Sequence, residues 1–200
     1  MKTVGLSGEF TPLAGQGRLG AQYILGFMYN YDEGVQVDPM QAFVWFSLAA
    51  GKGEERRVGV ASDLQDEIRE LMARDQVTEA QYSVGTMYAK GDGTPVEEFR
   101  AHTWSVLAEE HGHRTAGMEL DRLSGLLSRD QIAEAQHCVG RIYEDAIGVH
   151  EDALEAIAWF RKATEDGFAN AQYDLGWHDY GHGRSRTSLC LVQSRGERFP

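Results

Sequence analysis

The chain has 200 residues, a formal net charge of −12 and 42% hydrophobic residues, ample for a packed core and too apolar for wholesale disorder. The acidic excess repels phosphate backbones and sets nucleic acid aside as a partner. Only Cys138 and Cys190 occur, which excludes a disulfide framework.

Residues 1–18 hold one Lys and no apolar run of signal-peptide length, and they are predicted to be irregular. No later stretch approaches the roughly 20 apolar residues of a membrane helix, so no membrane partner is expected. The expected location is cytoplasmic, or periplasmic or secreted if an upstream signal is missing.

From residue 19 a single phrase recurs. Ala21-Gln22-Tyr23-Ile24-Leu25-Gly26-Phe27-Met28-Tyr29 returns as Ala80–Tyr88 and as Ala135–Tyr143, and it begins again at Ala171–Gly176. Such self-similarity marks a stacked-repeat architecture. The register extends through Gly34, Gly93 and Gly148, then Asp38, Glu97 and Asp152, then Trp45, Trp104 and Trp159, and on to Gly53, Gly112 and Gly167.

Each copy reads as helix, turn, helix. In the first helix Ala21, Leu25 and Met28 form one apolar face; in the second Ala42, Trp45, Phe46 and Ala49 do so. Asp38 before Pro39 has the form of an N-cap followed by proline at the first helical position. Gly26, Gly85, Gly140 and Gly176 lie mid-helix, where glycine costs about 1 kcal/mol against alanine. Their common phase predicts a close approach of the paired helix, with second-helix aromatics beside the gap. The Tyr29, Tyr88 and Tyr143 series is read as packing too.

The copies start 59, 55 and 36 residues apart. The longer intervals carry additional apolar periods at Leu64, Ile68, Leu71 and Met72, and at Met118, Leu123, Leu126 and Leu127. They predict third helices over about 60–74 and 115–128. Asp75 and Asp130 are read as caps of the helices that follow. The last helix is expected over about 169–179. Beyond it the second helix of the fourth copy is missing, and 181–200 is an irregular tail whose segment 183–200 carries four Arg against one Glu.

The pattern resembles the Sel1-like repeat, an α/α relative of the tetratricopeptide repeat. Ala21, Gly26, Tyr29, Gly34, Asp38, Ala42, Trp45, Ala49 and Gly53 stand at that family's signature positions, and the copy from Ala135 to Gly167 matches nearly as well. The second copy departs at Thr94-Pro95, Ser105 and Glu109. The resemblance covers about 21–177. It implies an all-α, right-handed superhelical solenoid with a concave inner face, extended here by third helices after the first two repeats. The repeat domain is then 19–180, in units of about 19–75, 76–130, 131–168 and a partial 169–180. The insertions resemble those of some bacterial members.

Chemistry is sparse. His178 and His182 have zinc-like spacing, but Gly181 and Gly183 argue against a helix there, and no metal or cofactor is expected. Glu110-His111-Gly112-His113 reads as a solvated helix exit, and His102 as a surface residue. Cys138 lacks a visible base, and no phosphate-cradling loop is present. The leading function is a scaffold or adaptor, not an enzyme. It would bind a partner protein or peptide on its concave face through Tyr23, Phe27, Tyr82, Thr86, His137, Arg141 and Trp177. The alternatives are a repeat-based hydrolase, β-lactamase-like or other, and self-association through the uncapped C-terminal repeat. The family's cysteine-rich hydrolytic members carry paired cysteines in each repeat; this chain does not.

Overall fold

The structure is a computed structural model that describes residues 4–50, 63–65, 67–145, 147 and 149–179. Among these residues all regular secondary structure is α-helical. The helices are α1 (Val4–Gly15), α2 (Leu19–Tyr31), α3 (Pro39–Ala50) and α4 (helical residues 63–65 and 67–71). There follow α5 (Arg74–Lys90), α6 (Glu98–Glu110), α7 (Ala116–Ser124), α8 (Arg129–Glu144), α9 (Ala153–Glu165) and α10 (Ala169–Asp179). The expected third helices exist as α4 and α7; α4 ends at residue 71, and α7 stops at Ser124 because residues 125–127 turn away before α8. The tail 181–200 and Gly148 lie outside the described residues.

The pairs α2–α3, α5–α6 and α8–α9 pack face to face, and α3 on α5, α6 on α8 and α9 on α10 link them in succession. The result is an all-α solenoid. The mid-helix glycines set the crossings. A Cβ on Gly26 would lie 2.9 Å from the Phe46 ring, and one on Gly140 would lie 2.6 Å from Phe160. On Gly85 it would meet Ser105 Oγ at 3.2 Å and the Ala101 carbonyl at 3.3 Å. The turns repeat as faithfully. The amides of Asp38, Glu97 and Asp152 donate to the carbonyls of Tyr29, Tyr88 and Tyr143 at 3.0, 3.0 and 3.1 Å. Those tyrosines end the first helices, and Tyr88 and Tyr143 are buried, as packing residues should be.

Three local readings are corrected. Residues 1–18, expected to be irregular, contain α1 despite Pro12 in its interior and a glycine at each end of its central turns. Packing against α2 overrides the poor intrinsic propensity. Asp75 and Asp130 are not caps; they sit in the first turns of α5 and α8, where a carboxylate favours the helix dipole. Ser128 is the cap of α8: its hydroxyl accepts from the Gln131 amide at 3.2 Å, and the Gln131 side chain reaches back to the Ser128 amide at 2.9 Å. Gln76 likewise holds the amide of Ala73 at 2.9 Å. Asp38 does cap α3, accepting from the Gln41 amide at 3.1 Å.

The third correction is His102. It is buried, because α7 lies over the side of α6 that its own period left outward. Its Nε2 is 3.2 Å from Ser124 Oγ. Desolvation, then the positive charge of Lys162, lowers its pKa from 6.5 to about 4. The folded chain therefore resists protonation at His102, and the unfolded chain binds more protons between these values. This contribution to stability is complete above pH 6.5 and is lost as pH falls toward 4, by at most about 3 kcal/mol. Urea titrations of His102→Gln should show a shallower loss of stability over that window than the parent.

Candidate functional site

A broad groove forms where helix ends meet. The N-terminal turns of α5 supply Arg74, Asp75, Thr78, Glu79 and Tyr82, and the turn between α6 and α7 supplies His111 to Thr115. Together they enclose about 740 Å³. The groove is held open by specific contacts. The ring of His113 stacks on Tyr82 with centroids 4.0 Å apart, and its Nε2 lies 3.1 Å from Glu79. His111 Nδ1 donates to Gln81 Oε1 at 2.8 Å. That bond has a counterpart one repeat on, where Gln136 donates to Asp166 at 3.1 Å, while Gln22 of the first repeat donates to the Gly93 carbonyl instead. The sequence 110–113 is thus packed and partnered, not a solvated exit.

A second cavity of about 490 Å³ adjoins the first through Arg74, Thr78 and His111, and adds Arg69, Glu70, Gln81 and His150. A third, of about 430 Å³, shares His111 and His150 but is acidic, lined by Glu110, Asp152 and Glu155. Tyr143 donates to Glu110 at 3.1 Å. Desolvation raises the pKa of Glu110, opposed by its bonds from Tyr143 and Trp159. Desolvation also lowers that of His111, helped by the charges of Arg74 and His150. His111 lies where all three cavities meet. Among the described residues Arg74 and Arg114 make no ion pair, while Glu79 is engaged by His113 and Asp75 faces the α5 dipole. The groove thus sets two guanidinium groups without an ion-pair partner among the described residues beside the carboxylates of Asp75 and Glu79.

The Sel1 repeat model matches the chain at residues 19–54, 78–113, 133–168 and 169–188. This chain belongs to the Sel1 repeat family. The Sel1 repeat protein from Oxalobacter formigenes is a similar solved structure, 24% identical over 89% of this chain and 56% of its own, with a TM-score of 0.29. Another is c5321, a protective antigen present in uropathogenic Escherichia coli strains displaying an SLR fold, 19% identical over 92% and 54%, with a TM-score of 0.27. The chain spans just over half the length of each. No curated protein matches it.

The nominated contact residues occupy equivalent places in the Sel1 repeats but different surroundings. Tyr23 is half-buried, edge-on to Phe46 at 5.6 Å. In the second repeat Ser105 replaces that phenylalanine, and Tyr82 turns to His113, which places it in the large groove. His137 is buried between Phe160 and Phe168, with Nε2 2.6 Å from Asp174 of α10. At the other phase Phe27 is exposed and lies against Tyr31, with centroids 4.4 Å apart. The Thr86 hydroxyl donates back to the Tyr82 carbonyl at 2.9 Å. Arg141 is 7% exposed and bonds Glu144 at 2.8 Å and Asp145 at 3.1 Å. The side chain of Trp177 lies outside the described residues, as do those of His178 and His182. Of the six whose side chains are described, Tyr82 alone lines the broad groove. Sequence reasoning missed Arg74, His111, His113 and Arg114 there; their one visible signal was basic residues clustered at helix ends in an acidic chain.

Among the described residues no three His, Cys, Asp or Glu side chains converge as metal ligands, and no helix is long and apolar enough to cross a membrane. Cys138, the nucleophile candidate of the hydrolase reading, is buried with Phe99 and Ala135 between repeats.

Proposed function

We propose that this Sel1 repeat protein is a protein-interaction scaffold whose central groove takes an acidic peptide segment of its partner. The observation that carries the reading is that Arg74 and Arg114, neither in an ion pair among the described residues, both line a cavity of about 740 Å³. A flat ring, Tyr82 stacked on His113, forms part of its wall. Guanidinium groups recognise carboxylates in two-pronged fashion, and exposed ones attract acidic segments over a distance set by salt. Thr78 and Thr115 add hydroxyls that can serve a peptide backbone.

Fluorescence polarisation with matched peptide sets tests this. Acidic peptides are expected to bind at least about tenfold more tightly than their basic counterparts, with affinity falling as salt rises. Reversing the charge with Arg74→Glu and Arg114→Glu together should cost about 1–3 kcal/mol of that binding, and both sites are exposed enough to leave the fold intact. Equal binding of both peptide sets, or affinity untouched by the double reversal, would dispose of the reading.

A further inference from the structure

The first and last described helices, α1 and α10, are complementary halves of one repeat. α1 is followed by the same turn that follows α9. Gly17 and Gly167 both have positive φ, 77° and 97°. The amides of Arg18 and Phe168 return to the carbonyls of Leu13 and Ala163 at 3.0 and 2.9 Å, and those of Ala21 and Ala171 bond the carbonyls of Arg18 and Phe168 at 3.0 and 3.2 Å. α1 therefore occupies the place of a second helix that precedes α2. Counting back from that turn, Phe10 falls in the phase of Phe46 and Phe160, and Leu13 in the phase of Ala49 and Ala163.

Each of these positions is finished inside the array and unfinished at its ends. Phe46 and Phe160 are fully buried against Gly26 and Gly140; Phe10 is half-buried. Ala49 and Ala163 are buried; Leu13 is 39% exposed. After α9, α10 is a first helix where, among the described residues, no atom lies over Gly176 in the place a ring takes inside the array, and whose Tyr173 is 70% exposed. Inside the array the equivalent Tyr23 lies against Phe46.

We propose that these ends meet between molecules: α1 of a second copy seats on α10 and places Phe10 in the notch over Gly176. The contact would repeat the α8–α9 packing and continue the solenoid from α10 through the neighbour's α1 into its α2. It is heterologous, so each copy keeps one free end, and the assembly grows head to tail or closes as a ring. It does not depend on the groove reading, whose residues lie elsewhere.

Light scattering of the full chain, coupled to size separation, provides the test. The parent is expected to show a mean mass that rises with concentration beyond that of one chain. Gly176→Leu fills the notch, and Phe10→Asp removes the ring; each variant alone should remain a single chain. Mixed together they should form pairs of one chain each and nothing larger, because one retains a working α1 and the other a working α10. Leu13→Lys provides a second disruption of α1 from its outer side should Phe10→Asp lose helix by circular dichroism. A parent that stays at the mass of one chain at every concentration would overturn the proposal, whether residues 180–200 cover α10 or a foreign helix does. A mixture of variants that never pairs would overturn it too, as would a parent assembly that persists in both Gly176→Leu and Phe10→Asp.

Discussion

A chain carrying Gly140→Ala is expected to lose about 1–2 kcal/mol of stability, although alanine is the better helix former by about 1 kcal/mol. The added methyl would sit 2.6 and 2.7 Å from two ring carbons of Phe160 and 3.1 Å from the Ala156 carbonyl. Phe160 is fully buried, so its ring has no free volume to swing into, and the carbonyl belongs to the α9 backbone. The two helices must part, and strain of overpacking, about 1–3 kcal/mol, exceeds the propensity gain. Gly85→Ala supplies the control. There the closest neighbours stand at 3.2 and 3.3 Å, and the nearest is the small hydroxyl of Ser105, so the change should fall within about 1 kcal/mol of neutral. Urea midpoints for both variants check the contrast; equal losses would show that close approach is not what these glycines provide.

Trp104→Ala should be more damaging, at about 3–5 kcal/mol, a large share of the 5–15 kcal/mol that holds a typical domain together. Trp104 is almost fully buried on α6, the helix packed by α5, α7 and α8, so the void would open at the centre of the array. Its indole N–H has no hydrogen-bond partner among the described residues. An unpaired buried donor costs about 1–3 kcal/mol in the parent fold, and Trp104→Phe removes that donor while keeping most of the apolar volume. Trp104→Phe is therefore expected to lose less than half of what Trp104→Ala loses. Denaturation monitored by far-ultraviolet circular dichroism gives both numbers, and equal losses would contradict this account.

The helix pairs were legible because their determinants are local and repeated. Gly26 with Phe46, and Gly140 with Phe160, lie within one copy at fixed spacing, so both register and packing could be read from the letters. α1 was not legible, since Pro12 and several glycines weaken its helical signal and contact with α2 supplies what propensity lacks. His102 was misread for the opposite reason: its own helix leaves it outward, and the cover comes from α7, whose docking no single-helix period reveals. The groove is harder still. Arg74 and His111 are brought together only by the way α5 and α6 end, and His150 arrives from the next repeat. Periodicity describes helix faces, whereas this site is made of helix termini.

The third helices have a mechanical consequence. α7 packs on α6, and Gln65 of α4 bonds Ser47 of α3; α3 and α6 are buried almost along their whole length, while Leu154 on α9 is largely bare. Solenoid stability is a chain of neighbour terms, so protection is graded along it. Opening would start from α10 and travel inward through α9, and α6 would be the last to exchange its amide protons. Among the described residues α6 is thus expected to be the best-protected helix and α10 the least.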